Sequence, residues 1–248
     1  MRNLLITIRY DGSAFHGWQV QNNAVTVQEV FQKAVAEILG SCPDIKGCSR
    51  TDSGVHANMF CLSMKTEHTI PCERFVSALN SHLPDTVAVL DVREVPLDFH
   101  ARYNALGKRY IYKIHNSAVK DPFLHGRAHR YRWKIDDKLM DKNAQDFVGA
   151  HDFTSFCTLD KREKGDFTRT VSECKVRREG DMIYFSVTAD GFLYNMVRIM
   201  VGTLLYINEH PELSGTIPDM FEAMNRDSAG PTAPACGLYL DKVFYDLQ

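Results

Sequence analysis

At 248 residues the chain has room for one large domain or two small ones, and 44% hydrophobic residues give it a real core to bury. No apolar run reaches the about 18 residues that span a bilayer. The opening Met1-Arg2-Asn3-Leu4-Leu5-Ile6-Thr7-Ile8 is too short and too alternating for a signal peptide, so a cytoplasmic protein with no membrane partner is expected. A formal net charge of −2 argues against a protein that coats nucleic acid non-specifically, while leaving room for a local basic face.

In chain order, residues 4–10 alternate with the period of a strand, and Asp11-Gly12 ends it as a turn. A loop with two aromatics follows, Ser13-Ala14-Phe15-His16-Gly17-Trp18-Gln19. Thr26-Val27-Gln28-Glu29 reads as a capping box. The apolar positions 27, 30, 31, 34, 35, 38 and 39 then share one helical face, and Gly40 stops the helix. A polar loop, Gly47-Cys48-Ser49-Arg50-Thr51-Asp52-Ser53-Gly54-Val55-His56-Ala57, leads into a strand over 59–64. Pro71 starts a second helix with Phe75, Val76 and Leu79 facing in, and 86–95 is β-branched and reads as a strand.

The pattern then restarts. Residues 108–114 alternate, with Tyr110, Tyr112 and Ile114 on one side. A helix from Asp137 puts positions 139, 140, 143, 144, 147 and 148 on its inner face and is closed by Gly149. A hairpin joins 170–178 to 182–189 around Glu179-Gly180-Asp181. An apolar helix over 194–207, a shorter one over 220–224 and a last strand over 238–245 complete the chain. The expected fold class is α+β: two RRM-like α/β halves with antiparallel or mixed sheets joined across a central cleft, which the motifs below make the expected catalytic cleft. The N-terminal half is 1–105 and the C-terminal half 106–248, with no Gly/Ser linker between them.

The seven cysteines form no C-x-x-C pair and read as free thiols in a reducing compartment. His125 and His129 are four apart, but no glutamate follows His125 and no third ligand stands near, so no metal is expected.

Three stretches carry chemistry. Asp52 either caps its own turn or is a reactive carboxylate flanked by Arg50 and His56. Arg198 is the only charge in an apolar helix, so it either snorkels to water or meets an acid from the other half, with Asp52 the best candidate. A neighbouring guanidinium would keep such a carboxylate ionised. The third stretch, 98–110, interleaves basic and aromatic residues as suits phosphate contact and base stacking, and 125–134 has the same composition. Lys161, Arg162, Lys164, Arg169, Lys175, Arg177 and Arg178 form a further basic cluster, so charge must be segregated into a basic face and an acidic back. The loop Gly230-Pro231-Thr232-Ala233-Pro234-Ala235-Cys236-Gly237 has no lysine and is a poor phosphate cradle; it is expected to set Leu238-Tyr239-Leu240 at the floor of a cleft.

Ser49-Arg50-Thr51-Asp52-Ser53-Gly54-Val55-His56-Ala57 resembles the signature of the TruA-type tRNA pseudouridine synthases. Phe99-His100-Ala101-Arg102-Tyr103, Lys108-Arg109-Tyr110, the run from Asn195 to Gly202 and the run from Ala233 to Leu240 are similar to that family too. The resemblance implies conversion of uridine to pseudouridine at positions 38 to 40 of the tRNA anticodon stem-loop, without metal or organic cofactor. It implies Asp52 as nucleophile, Tyr110 stacked on the target uracil and helping to remove its C5 proton, and Arg198 paired with Asp52. Arg50, Phe99, His100, Ala101, Arg102, Tyr103 and Leu240 would contact the substrate. It also implies a homodimer with tRNA lying across both subunits.

Two rival readings stand beside this one. A non-catalytic RNA-binding module of duplicated RRM-like halves would explain the aromatics, yet neither half has an RNP1 motif and the Asp52–Arg198 pair would be idle. A hydrolase with Asp52 as nucleophile would want a second carboxylate or a metal set, and neither is evident.

Overall fold

The computed structural model describes residues 1–159 and 165–247. The protein is α+β, and its strands pair mostly antiparallel. The chain divides into two compact units, Met1–Leu106 together with Tyr239–Gln248, and Gly107–Leu238. Sequence periodicity divides the chain at 105/106, but the last strand groups with the first unit.

In the first unit, β1 (Arg2–Tyr10) lies between two antiparallel neighbours, β3 (His56–Thr66) and β4 (Val87–Val95), with Ile6 opposite both Leu62 and Val92. As a central strand it is buried on both faces; only Arg9 is exposed between Leu4 and Tyr10. A short strand too small to read from periodicity, β2 (Ile45–Gly47), pairs with the far end of β3 and so makes the polar motif loop a hairpin connection. The last strand, β10 (Leu238–Tyr245), pairs parallel to β3, Tyr239 against His56 and Leu240 against Ala57. It therefore meets β3 where the motif loop ends.

Helix α1 (Val27–Leu39) forms as its sequence dictates. The Thr26 hydroxyl accepts from the Glu29 amide at 3.3 Å, and Gly40 ends the helix in the left-handed region at φ 78°. Glu29 also takes Lys33 as an i,i+4 partner at 2.6 Å, which holds its carboxyl below the usual range. Helix α2 (Cys72–His82) starts after Pro71 and turns Phe75 and Leu79 inward.

In the second unit, β5 (Ala105–His115) pairs antiparallel with β9 (Met182–Ala189), which forms a hairpin with β8 (Thr168–Glu179) closed at Gly180, φ 58°. Two strands not expected from the sequence finish the sheet: β6 (His129–Arg130) beside β5 and β7 (Gly149–Asp152) beside β8. The helix expected to run to 148 ends sooner. Helix α3 is Asp137–Ala144, a 3-10 turn Gln145–Phe147 follows, and Gly149, at φ 121°, opens β7 instead of capping the helix. The inner position 143 is an asparagine, and it is buried because its side-chain oxygen accepts from the Gly215 amide at 2.9 Å. Helix α4 (Met196–Glu209) is apolar and buried, and α5 (Ile217–Glu222) is short and begins three residues before its expected start. Phe147, Phe153, Phe156 and Phe185 fill this unit's core.

Candidate active site

The motif residues Thr51–His56 are held by the loop that follows β1. The Tyr10 hydroxyl and the Thr51 hydroxyl are 2.9 Å apart and buried. The Trp18 amide donates to the Thr51 carbonyl at 3.2 Å, and the Gly54 amide to the Phe15 carbonyl at 3.2 Å. The Gly12 amide donates to Nδ1 of His56 at 3.0 Å. His56 is buried and its ring stacks on Tyr239, centroids 4.4 Å apart. Since Nδ1 is an acceptor there, its 3.3 Å approach to the Asp11 carboxylate is not an ion pair made through that nitrogen.

Two glycines make this approach possible. A Cβ on Gly12 would sit 2.0 Å from the Val55 carbonyl oxygen, and one on Gly17, at φ 84°, would sit 2.3 Å from that of Thr51. Trp18 closes the back of the loop, stacked on Phe60 at 4.1 Å. Between these supports Asp52 is half-buried at the head of a turn. Its own carbonyl closes the turn on the Val55 amide at 3.1 Å, and Gly54 takes the left-handed position at φ 77°. The loop is thus a well-made turn, and the turn holds the carboxylate.

In the second unit Tyr110 is buried on β5, with its ring edge-on to Phe192 at 4.9 Å. Arg198 lies in the first turn of α4 and is half-buried. Its Nε donates to the Ala233 carbonyl at 2.8 Å and Nη1 to the side-chain oxygen of Asn195 at 2.8 Å. Both acceptors are neutral, so they orient the guanidinium without cancelling its charge. The loop before β10 is built around this arginine. The Ala233 amide returns a bond to the Arg198 carbonyl at 3.0 Å, and the Tyr112 hydroxyl donates to the Pro234 carbonyl at 2.7 Å. A Cβ on Gly202 would overlap the Pro231 carbonyl at 1.6 Å. Burial pushes the Tyr112 phenol far up, so it stays a neutral donor.

The expected substrate contacts separate into two kinds. Phe99, Ala101 and Leu240 are buried: Phe99 packs edge-on to Tyr245, and the Ala101 carbonyl accepts from the Tyr245 hydroxyl at 2.6 Å. Phe99 and Ala101 anchor the segment to the core, and Leu240 is buried on β10. Arg50, Arg102 and Tyr103 are exposed, and His100 is half-exposed. His100 packs on the Tyr103 ring at 4.3 Å, and its Nδ1 accepts from the Arg102 amide at 3.1 Å. Burial, Lys46 and Arg102 together hold His100 below the usual imidazole range. In 125–134, Arg132 lies 4.2 Å over the exposed Trp133 ring. Lys161, Arg162 and Lys164 lie outside the described residues.

All seven cysteines are free thiols. Among the described residues, no group of three or more His, Cys, Asp or Glu could hold a metal ion, and no helix is long and apolar enough to cross a membrane. The stretch from Tyr10 to Gln19 also resembles the opening of the TruA-type synthases, but the sequence does not show Tyr10, Gly12, Gly17 and Trp18 as supports of the motif, nor Asn195 as a partner of Arg198. The two glycines on either side of Phe15 are the signal for the first group.

A family model described as tRNA pseudouridine synthase matches residues 6–104 and 143–246. Asp52 and Arg198 fall inside those spans and Tyr110 between them. A protein called tRNA pseudouridine synthase A from Clostridium acetobutylicum is 42% identical over 245 residues, covering 99% of this chain and 100% of its own. Proteins of the same name from Acetivibrio thermocellus and Moorella thermoacetica are 43% and 44% identical, each spanning at least 98% of both chains. The chain belongs to the tRNA pseudouridine synthase family.

Proposed function

We propose that this protein isomerises uridine to pseudouridine at positions 38 to 40 of the tRNA anticodon stem-loop, with Asp52 as nucleophile. The N1–C1′ bond breaks, the base turns, C5 bonds to C1′, and the C5 proton leaves while N1 regains one. Attack at the sugar, assisted elimination and addition to the ring all need an ionised carboxylate beside the target nucleoside. Arg198 pairs with Asp52 and keeps it charged. The target base leaves its stack and lies on Tyr110, which helps remove the C5 proton. Arg50, His100, Arg102 and Tyr103 contact the RNA.

The observation that carries this reading is the support of the Thr51–His56 turn by buried partners on either side of a half-buried Asp52. The family resemblance supports a cytoplasmic homodimer, with tRNA across both subunits and two RRM-like halves meeting at the catalytic cleft. With tRNA tritiated at uridine C5, wild-type protein should release tritium and Asp52→Ala should release none while still binding tRNA. Binding without release by the wild-type protein would leave a non-catalytic RNA-binding module as the better reading.

A further inference from the structure

Asn195 stands at a position that most side chains avoid. It precedes α4 with φ 61° and ψ 3°, in the left-handed region, where asparagine is tolerated better than most residues but glycine is unstrained. An asparagine at a helix start ordinarily turns its side-chain oxygen onto the amides of the first turn. Here it makes no such cap bond. The oxygen accepts from Nη1 of Arg198 at 2.8 Å instead, and the side-chain amide donates to the Thr158 hydroxyl at 2.9 Å. Thr158 is itself fixed, its amide donating to the Tyr194 carbonyl at 3.0 Å.

The two ends of the Asn195 amide therefore have different assignments. Turning the group over would set its NH2 against the guanidinium, donor against donor. With the Asn195 oxygen on Nη1 and the Ala233 carbonyl on Nε, the guanidinium plane is fixed from two directions. A helix cap has been given up and a left-handed backbone accepted, and what is gained is the direction of one arginine.

We propose that Asn195 is a positioning residue for the reaction: it aims the Arg198 guanidinium at the catalytic carboxylate and does not touch the substrate. This rests on the reading of Arg198 given above. A backbone role and a positioning role respond oppositely to glycine. Glycine takes the left-handed conformation freely but offers no acceptor. Aspartate keeps an oxygen for Nη1.

The test compares Asn195→Gly, Asn195→Asp and Arg198→Met by thermal midpoint, tRNA KM and single-turnover tritium release. Asn195→Gly should keep or raise the thermal midpoint, leave KM within about twofold and slow turnover by about tenfold or more, the scale of a misplaced catalytic group. Asn195→Asp should turn over faster than Asn195→Gly. Wild-type turnover in Asn195→Gly, or equal losses in the glycine and aspartate variants, overturns the proposal. If the Asn195 variants give either overturning result while Arg198→Met is inactive, only the Asn195 role has failed. Wild-type turnover in Arg198→Met overturns the role of the arginine, and the inference with it.

Discussion

Two polar loops of the first unit, the Thr51–His56 turn and the 99–103 segment, are built in opposite ways. The first is fastened from behind by Tyr10, Gly12, Phe15 and Trp18, through backbone bonds and a buried hydroxyl pair. The second is fastened to the core at Phe99 and Ala101, and between and beyond them His100, Arg102 and Tyr103 reach solvent and touch one another. Chemistry at one atom needs position, and position comes from packing that admits no alternative. Holding a long polyanion needs charge and flat surface, which can be supplied piecemeal. Damage to the first loop should therefore appear in stability and turnover, and damage to the second in tRNA affinity and its dependence on salt.

The largest effect should come from Gly17→Ala. The new methyl would meet the Thr51 carbonyl at 2.3 Å from a left-handed backbone, φ 84°. Strain and overlap together should cost about 2 kcal/mol or more and should displace the turn carrying Asp52. A lower thermal midpoint with strongly reduced tritium release is expected. Gly40→Ala is the matched control, since Gly40 has a similar φ of 78° but nothing within 4 Å of an added Cβ. It should cost only the conformational penalty of about 1 kcal/mol and leave turnover unchanged. Equal turnover in the two variants would break the comparison. Next comes Tyr10→Phe, which takes the buried partner from the Thr51 hydroxyl at a cost of about 1–2 kcal/mol. Its kcat should fall severalfold with KM unchanged; a KM effect alone would place Tyr10 on the RNA side.

Local signals made much of the fold legible. Thr26 and Gly40 bounded α1, the Glu179-Gly180-Asp181 turn fixed the β8–β9 hairpin, and a lone Arg198 in an apolar run marked a cation that needs polar partners, which the structure holds half-buried. What could not be read locally is what long-range contact decides. The return of β10 to lie parallel against His56 and Ala57 depends on packing between residues some 180 positions apart, and no periodicity records it. Strand β2 is three residues long, below the length at which alternation means anything. Alternating basic and aromatic residues in 98–110 suit a binding segment but do not say which side chains face in, and it is burial that separates Phe99 and Ala101, which anchor the segment to the core, from Arg102 and Tyr103. Apolar periodicity runs the helix over 194–207 and so places Asn195 inside it, and nothing in that pattern records the left-handed turn from which its side chain meets Arg198.

On the binding side the effects should be smaller and confined to affinity. Tyr103→Ala should weaken tRNA binding by the about 1–3 kcal/mol of a stacked base. Arg102→Ala should weaken it uniformly across tRNA sequences and lower the slope of log affinity against log salt by about one. Neither should change kcat. The smallest effect belongs to His100, which burial, Lys46 and Arg102 hold neutral near pH 7. Its proton is disfavoured in the free protein, so the stability it contributes is present above its ordinary pKa and declines as acid forces the proton on. Phosphate nearby would reverse the preference, because the imidazolium then gains a counter-charge. Binding of tRNA should therefore take up a proton at this residue, and KM should fall as pH drops from about 7.5 to about 5.5. His100→Gln keeps a polar side chain without the titration and should flatten that fall. A KM profile in the variant that still follows the wild type would remove His100 from the RNA-facing surface and leave Arg102 and Tyr103 as its contacts.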